Sequence, residues 1–359
     1  MIRTPLIFIL LLAFAIPSCT AVPQHKVSCK DPAIDYMGRI KDNDSSATFY
    51  WSGTSATMHF TGSEIAVTLK DESGNNYYYG IVDDSVYTKL KGDTTTHTYL
   101  IARHLKKKVL HKVQLFRLTE ESAGKTWFYG FETDGDAVPM LKTQHRKIEF
   151  YGNSITAGYS VDDTTGDTKL PEYFNNYYTY AAITARHYDA DYYNISKSGI
   201  GLMVSWFPII MPELYNRRDP LDPADKWDFH SYVPDVVVID LFQNDSWLIT
   251  KITHPQFKAR FGDTPPDSAY IVDAYKKFVT TIRNTYPDAS IVCTLGSMDA
   301  TKEGSPWPRY IKAAVTDLHD RKVYAHIFAH KNSSGHPKRK DQLIMAESLI
   351  HFIDVNVHW

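Results

Sequence analysis

The run Asp235-Val-Val-Val-Ile-Asp-Leu241 constrains the fold more than any other stretch of this chain. Its apolar residues are consecutive rather than alternate. A strand turns successive side chains to opposite faces, so a run of this kind must be covered on both. A sheet with helices on each side does that, and such sheets are mostly parallel. The surrounding sequence agrees. Strand-like segments at 148–151, 289–295 and 323–328 alternate with helix-like segments at 175–187, 267–285, 308–320 and 337–353. Residues 142–359 are therefore predicted to form an α/β domain, a parallel sheet with helices on both faces.

Residues 24–141 read differently. Segments 49–51, 56–60, 65–69, 77–82, 96–101 and 113–118 are short, rich in β-branched and aromatic residues, and separated by turn residues. No helix-length amphipathic stretch interrupts them. An all-β sandwich or jelly roll is expected, with the junction in 134–144. The chain's 359 residues suit two such domains. Its 24 Tyr fit either the β-propensity of the residue or exposed binding surfaces.

The chain opens with Arg3 and an apolar stretch from Leu6 to Ile16. This is the pattern of a secretory signal peptide over residues 1–18, too short for a membrane span. Ile16-Pro17-Ser18-Cys19 resembles a relaxed lipobox, which would make Cys19 an acylated mature N-terminus. A plain signal cleaved near Ala21 is the other reading. The lipobox reading places the protein outside the cytoplasm on a bacterial envelope, touching membrane only through its anchor. A net charge of -2 gives no bulk attraction for nucleic acid. Besides Cys19 the chain has Cys29 and Cys293, the latter inside a buried-strand pattern. No Cys/His spacing resembles a metal site, and no cofactor is expected.

Open parallel sheets bind ligands at the carboxyl ends of their strands. Ser154 follows the strand-like segment 148–151 at the opening of a helix, where its hydroxyl can be exposed and its N–H can face developing negative charge. An ordinary N-cap would look the same. Gly199, in Ser198-Gly-Ile-Gly201, allows close approach of backbone N–H groups to a ligand. Asn244, in Phe242-Gln-Asn-Asp245, can aim an amide at the same point, though Asn-Asp also caps helices. His336, in Ser333-Ser-Gly-His-Pro337, sits before the last helix. Acyl transfer needs a nucleophile, a base and oxyanion donors around one point, and this ordered set offers all three.

Gly152-Asn-Ser-Ile-Thr156, Ser198-Gly199, Gln243-Asn-Asp245 and His336-Pro337 resemble the four blocks of the SGNH (GDSL-like) hydrolases. Tyr50-Trp-Ser-Gly53 and Phe60-Thr-Gly62 resemble the jelly-roll domain that precedes the catalytic domain in carbohydrate esterase family 2. Together they span nearly the whole mature chain. The resemblance implies a flavodoxin-like SGNH sheet and hydrolysis of acetyl esters on a polysaccharide of the xylan or glucomannan type. Ser154 would be the nucleophile, and His336 the general base and then acid. The N–H groups of Ser154 and Gly199 and the amide of Asn244 would form the oxyanion hole. Two positions depart from the pattern. Ser333 and Ser334 stand where many relatives carry an Asp, so a Ser-His dyad is expected, with a backbone carbonyl near Ser334 accepting the imidazole Nδ1–H. Phe242 replaces a usual Gly, which is expected to reshape the site wall. Trp206, Trp247 and Trp307 are candidates to stack on sugar, Trp247 foremost, while Asp245 is expected to hold its loop. Two other functions fit this sequence: a non-catalytic glycan-binding lipoprotein, and a deacylase of lipid or peptidoglycan esters.

Overall fold

The computed structural model describes residues 25–84, 86–139 and 145–359. The signal peptide, Cys19 and residues 140–144 of the expected junction lie outside them.

The amino-terminal part has two six-stranded antiparallel sheets. Strand Ser55–Phe60 lies between Ile34–Met37 and His111–Arg117 in one sheet, and Thr126–Thr133 runs through the other. Phe49, Val67, Leu69, Phe128 and Phe131 from one sheet meet Phe60, Tyr78 and Leu115 from the other in a shared core. In Tyr77–Val82 the alternation of the strand sends Tyr78 and Val82 into that core. It sends Tyr79 and Ile81 the other way, into a second core with Tyr180, Ala182 and Tyr192 of the following domain. The sandwich is therefore fused to its neighbour through one sheet face.

Arg39 strengthens that fusion. It is buried and reaches out of the sandwich to Glu149 Oε1 (2.8 Å) and Tyr151 Oη (3.2 Å), and to the carbonyls of Tyr215 (2.6 Å) and Arg217 (2.9 Å). Removing one partner of a buried ion pair strands the other charge in a low dielectric.

The second part is a parallel sheet in the order Asp191–Ser196, Lys147–Gly152, Val236–Asp240, Ser290–Leu295, Val323–Ile327. Every residue of Val236–Asp240 is buried, as its composition requires. Helices Tyr180–His187 and Arg339–Asn356 cover Ile148, Phe150, Val236 and Val238 on one face. Helices Ser268–Thr285 and Trp307–Leu318 cover Tyr151, Val237, Ile239 and Cys293 on the other. The helix expected from Asn175 begins only at Tyr180, capped by the Thr179 hydroxyl (3.2 Å to Ala182 N). The cause is local. Asn176 Nδ2 donates to the carbonyls of Thr156 (3.0 Å) and Ala157 (3.2 Å), tying this segment to the turn after Ser154 instead of to its own helix.

Candidate active site

Strand order reverses between Lys147–Gly152 and Val236–Asp240, and ligand crevices open at such switch points. Ser154 leaves the sheet there. It starts the short helix Ser154–Ala157, behind Asn153, whose Oδ1 accepts from Ile155 N (2.9 Å) and whose Nδ2 donates to Asp240 O (3.2 Å). That bond fastens the Ser154 turn to the neighbouring strand. Ser154 Oγ lies 2.8 Å from His336 Nε2, across 182 residues of chain. The two side chains that the sequence singled out therefore meet.

Asp167 holds the other side of the imidazole. His336 Nδ1–H donates to Asp167 Oδ2 (2.7 Å), and His336 N donates to the same carboxylate (3.0 Å). Gly335 permits this approach: its φ is +69°, and a Cβ there would stand 2.9 Å from Asp167 Oδ2. Lys338 Nζ donates to Asp167 Oδ1 (2.9 Å) and to the carbonyls of Gly166 (2.7 Å) and Ser160 (2.9 Å), clamping the loop. Burial would raise the Asp167 pKa, but hydrogen bonds from His336 and Lys338 outweigh it and hold the carboxyl well below the usual carboxylate range. Asp167 is thus ionised beside the ring. Tyr159 flanks that ring, with centroids 4.6 Å apart.

Besides Ser154, the expected anion-holding groups follow the two strands flanking Lys147–Gly152, at the same carboxyl edge of the sheet. Gly199 has φ +84°, a conformation that L side chains rarely adopt. Among the described residues no acceptor takes the N–H of Gly199 or of Ser154. Asn244 Nδ2 spends one hydrogen on Ile200 O (2.7 Å), and its Oδ1 accepts from Trp206 Nε1 (3.0 Å). Among the described residues no acceptor takes the second Nδ2 hydrogen. Asp245 is buried and accepts from the N–H groups of Leu202 (2.9 Å), Met203 (2.7 Å) and Val204 (3.1 Å), so it shapes the loop beyond Gly199, as expected. Burial pushes its carboxyl up to about 6 against those donors.

The sandwich reaches this loop too. Glu120 Oε2 accepts from Ser198 N (2.8 Å), and Glu121 pairs with Lys197. Burial, with the charge of Glu121, pushes the Glu120 carboxyl up to about 7.

The model of the "Carbohydrate esterase 2 N-terminal" family matches residues 36–140, and that of the "GDSL-like Lipase/Acylhydrolase family" matches 150–332. A solved family two carbohydrate esterase from Clostridium thermocellum, in complex with cellohexaose, is 33% identical, with a TM-score of 0.79 over 90% of this chain and 98% of that one. The chain belongs to carbohydrate esterase family 2. An acetylxylan esterase / glucomannan deacetylase of Cellvibrio japonicus is 27% identical over 90% of this chain and 89% of its own length. The cellulase/esterase CelE of Acetivibrio thermocellus is 33% identical over 92% of this chain, which spans 40% of that protein's length.

Against this family 2 background the structure corrects three expectations. The dyad is replaced by a Ser-His-Asp chain, because the acid arrives on the loop after Ser154 instead of next to His336. Phe242 does not form a site wall. It is fully buried against Tyr275 (centroids 4.8 Å) and Trp307 (5.0 Å), at φ +82°, which explains a usual glycine at this position. Trp307 is consequently core, 5% exposed, and has no face to offer a sugar. Trp247 is half-buried, with its Nε1 on Asp299 Oδ2 (2.9 Å). Trp206 is 39% exposed and touches Asn244, which makes it the best placed of the three.

Proposed function

We propose that this chain is a serine esterase that removes acetyl groups from a polysaccharide of the xylan or glucomannan type. The observation that carries the reading is the hydrogen-bonded series Asp167–His336–Ser154 beside unoccupied N–H donors. Ser154 Oγ attacks the acetyl carbonyl as His336 Nε2 takes its proton. The N–H groups of Ser154 and Gly199 and the Asn244 amide receive the oxyanion. His336 then protonates the departing sugar oxygen, leaving acetyl-Ser154, and a water activated by His336 releases acetate. Trp206 offers an aromatic face to the sugar. The names of the relatives support the substrate class, and the leader sequence supports export with tethering through Cys19.

The test compares 4-nitrophenyl acetate with the octanoate ester and follows acetate release from acetylated xylan and glucomannan. Faster turnover of acetate esters together with polymer deacetylation is expected. Preference for octanoate with inert polymers would move the chain to the lipid deacylases.

Glu120 yields a second expectation. Its carboxylate fixes the peptide that precedes Gly199, so Glu120→Ala should lower kcat about tenfold with KM little changed, a fraction of what losing a donor costs. Glu120→Gln keeps an acceptor oxygen and should retain most activity. Steady-state kinetics on 4-nitrophenyl acetate separates the two.

A further inference from the structure

The sandwich has two unlike ends. Strand Thr126–Thr133 defines them through its register. At its start, Thr126 pairs with Phe49 and Asp71, close after the Glu120–Glu121 turn that touches the Gly199 loop. At its finish, Thr133 pairs with His25 and Ile65, and Ile65 pairs with Ala102. The two ends stand roughly 23 Å apart at the rise of a strand.

At the far end, residues 103–110 cross from one sheet to the other between strands His97–Ala102 and His111–Arg117. Their sequence is Arg-His-Leu-Lys-Lys-Lys-Val-Leu. Arg103, Lys106, Lys107 and Lys108 are exposed, and beside them Val109 and Leu110 are 43% and 54% exposed. The acids nearby are mostly engaged. Asp134 accepts from Ser63 N (2.6 Å) and Glu64 N (3.0 Å) and meets Lys107 (3.5 Å). Asp83 accepts from Lys112 N (2.9 Å) and His111, and Asp84 meets Lys112 (2.8 Å). Asp136 is exposed at the same end. Glu64, next to Ser63, is a further acid at this end, and among the described residues Arg103, Lys106 and Lys108 form no ion pair with a carboxylate. The turn is held in place, since Leu105 N donates to Ser63 O (3.0 Å) and Gly62 N to Lys107 O (3.2 Å).

His25, the first described residue, lies at this same end, and Cys19 stands only six positions before it in sequence. Six residues reach at most about 20 Å. Any lipid on Cys19 therefore lies within about 20 Å of His25, at the same end of the sandwich as the basic turn. We propose that the Arg103–Leu110 turn is a membrane-contact surface that docks on anionic phospholipid and holds the catalytic end outward. Exposed cations with an apolar tip are the composition that lies in a headgroup layer. A basic patch adds an attachment of its own, about 1 kcal/mol per cation at an anionic surface, whatever the lipid on Cys19.

The test uses residues 20–359, which retain every described residue and carry no acyl chain, so its outcome is independent of whether Cys19 is acylated and of the esterase reading. Cosedimentation is measured with vesicles of about seven parts phosphatidylcholine to three of phosphatidylglycerol, and with pure phosphatidylcholine. Binding to the anionic vesicles alone, weakening as salt rises, is expected. Each cation at such a surface is worth about fivefold in affinity, so the triple variant Arg103→Gln, Lys106→Gln, Lys108→Gln should bind at least tenfold more weakly. Val109→Ser with Leu110→Ser should weaken binding severalfold while keeping its salt dependence. Unchanged thermal melts show that the variants fold. Equal sedimentation of parent and triple variant overturns the proposal. So does a parent that ignores phosphatidylglycerol, whether or not it binds a soluble polyuronate.

Discussion

Ser154→Ala should lower kcat for 4-nitrophenyl acetate by about 10⁴ to 10⁶ and leave the fold intact. Alanine removes one oxygen from a side chain whose one hydrogen-bond partner among the described residues is His336 Nε2, so no other bond among them is lost. The Cβ stays in place, and Asn153 still ties the turn to Asp240. What disappears is the atom that bonds to the acetyl carbon. A variant that turned over as fast as the parent would remove Ser154 from the chemistry, whatever the polymer. Residual hydrolysis above the uncatalysed rate is still expected, because the oxyanion donors remain.

Asp167→Asn should cost about 10² to 10⁴ in kcat with KM little changed. An ionised Asp167 only accepts, so the Nδ1 facing it carries the proton and Nε2 is left with a lone pair for Ser154. An asparagine in the same place can donate to Nδ1. The imidazole then carries its proton on Nε2, facing Ser154, and no base remains. The substitution nearly preserves shape and leaves an oxygen for Lys338, so a loss through loop collapse would show as a lower melting temperature. A variant with full kcat would mean that the imidazole needs no acid, which is the arrangement the neighbours Ser333 and Ser334 suggested.

The parts that were legible in the sequence are those encoded locally. Asp235–Leu241 announces a strand covered on both faces because burial on two sides leaves a contiguous signature. Ser154, Gly199, Asn244 and His336 each occupy a strand end or a loop before a helix, so each carries its own short motif. Asp167 has none. It sits 169 residues from its partner, in a loop without periodicity. A weak signal was present in Asp163-Thr-Thr-Gly-Asp-Thr168. Asp163 there accepts from the N–H groups of Thr165 (2.9 Å), Gly166 (3.1 Å) and Thr168 (2.8 Å), the pattern of a rigid turn that can present a neighbour. Glu120 was hidden for another reason, since it crosses from the other domain. Trp307 went astray because a tryptophan's surroundings depend on tertiary packing, here on a phenylalanine in a backbone conformation normally left to glycine.

The shared boundary between the halves has a practical meaning for anyone wishing to transplant this catalyst. Cutting at the junction would bare Tyr180 and Tyr192 on one piece and Tyr79 and Ile81 on the other, and would strand Glu149 without its guanidinium. The sandwich is less a passenger than one wall of the same house, so the portable cassette is the whole of residues 25–359.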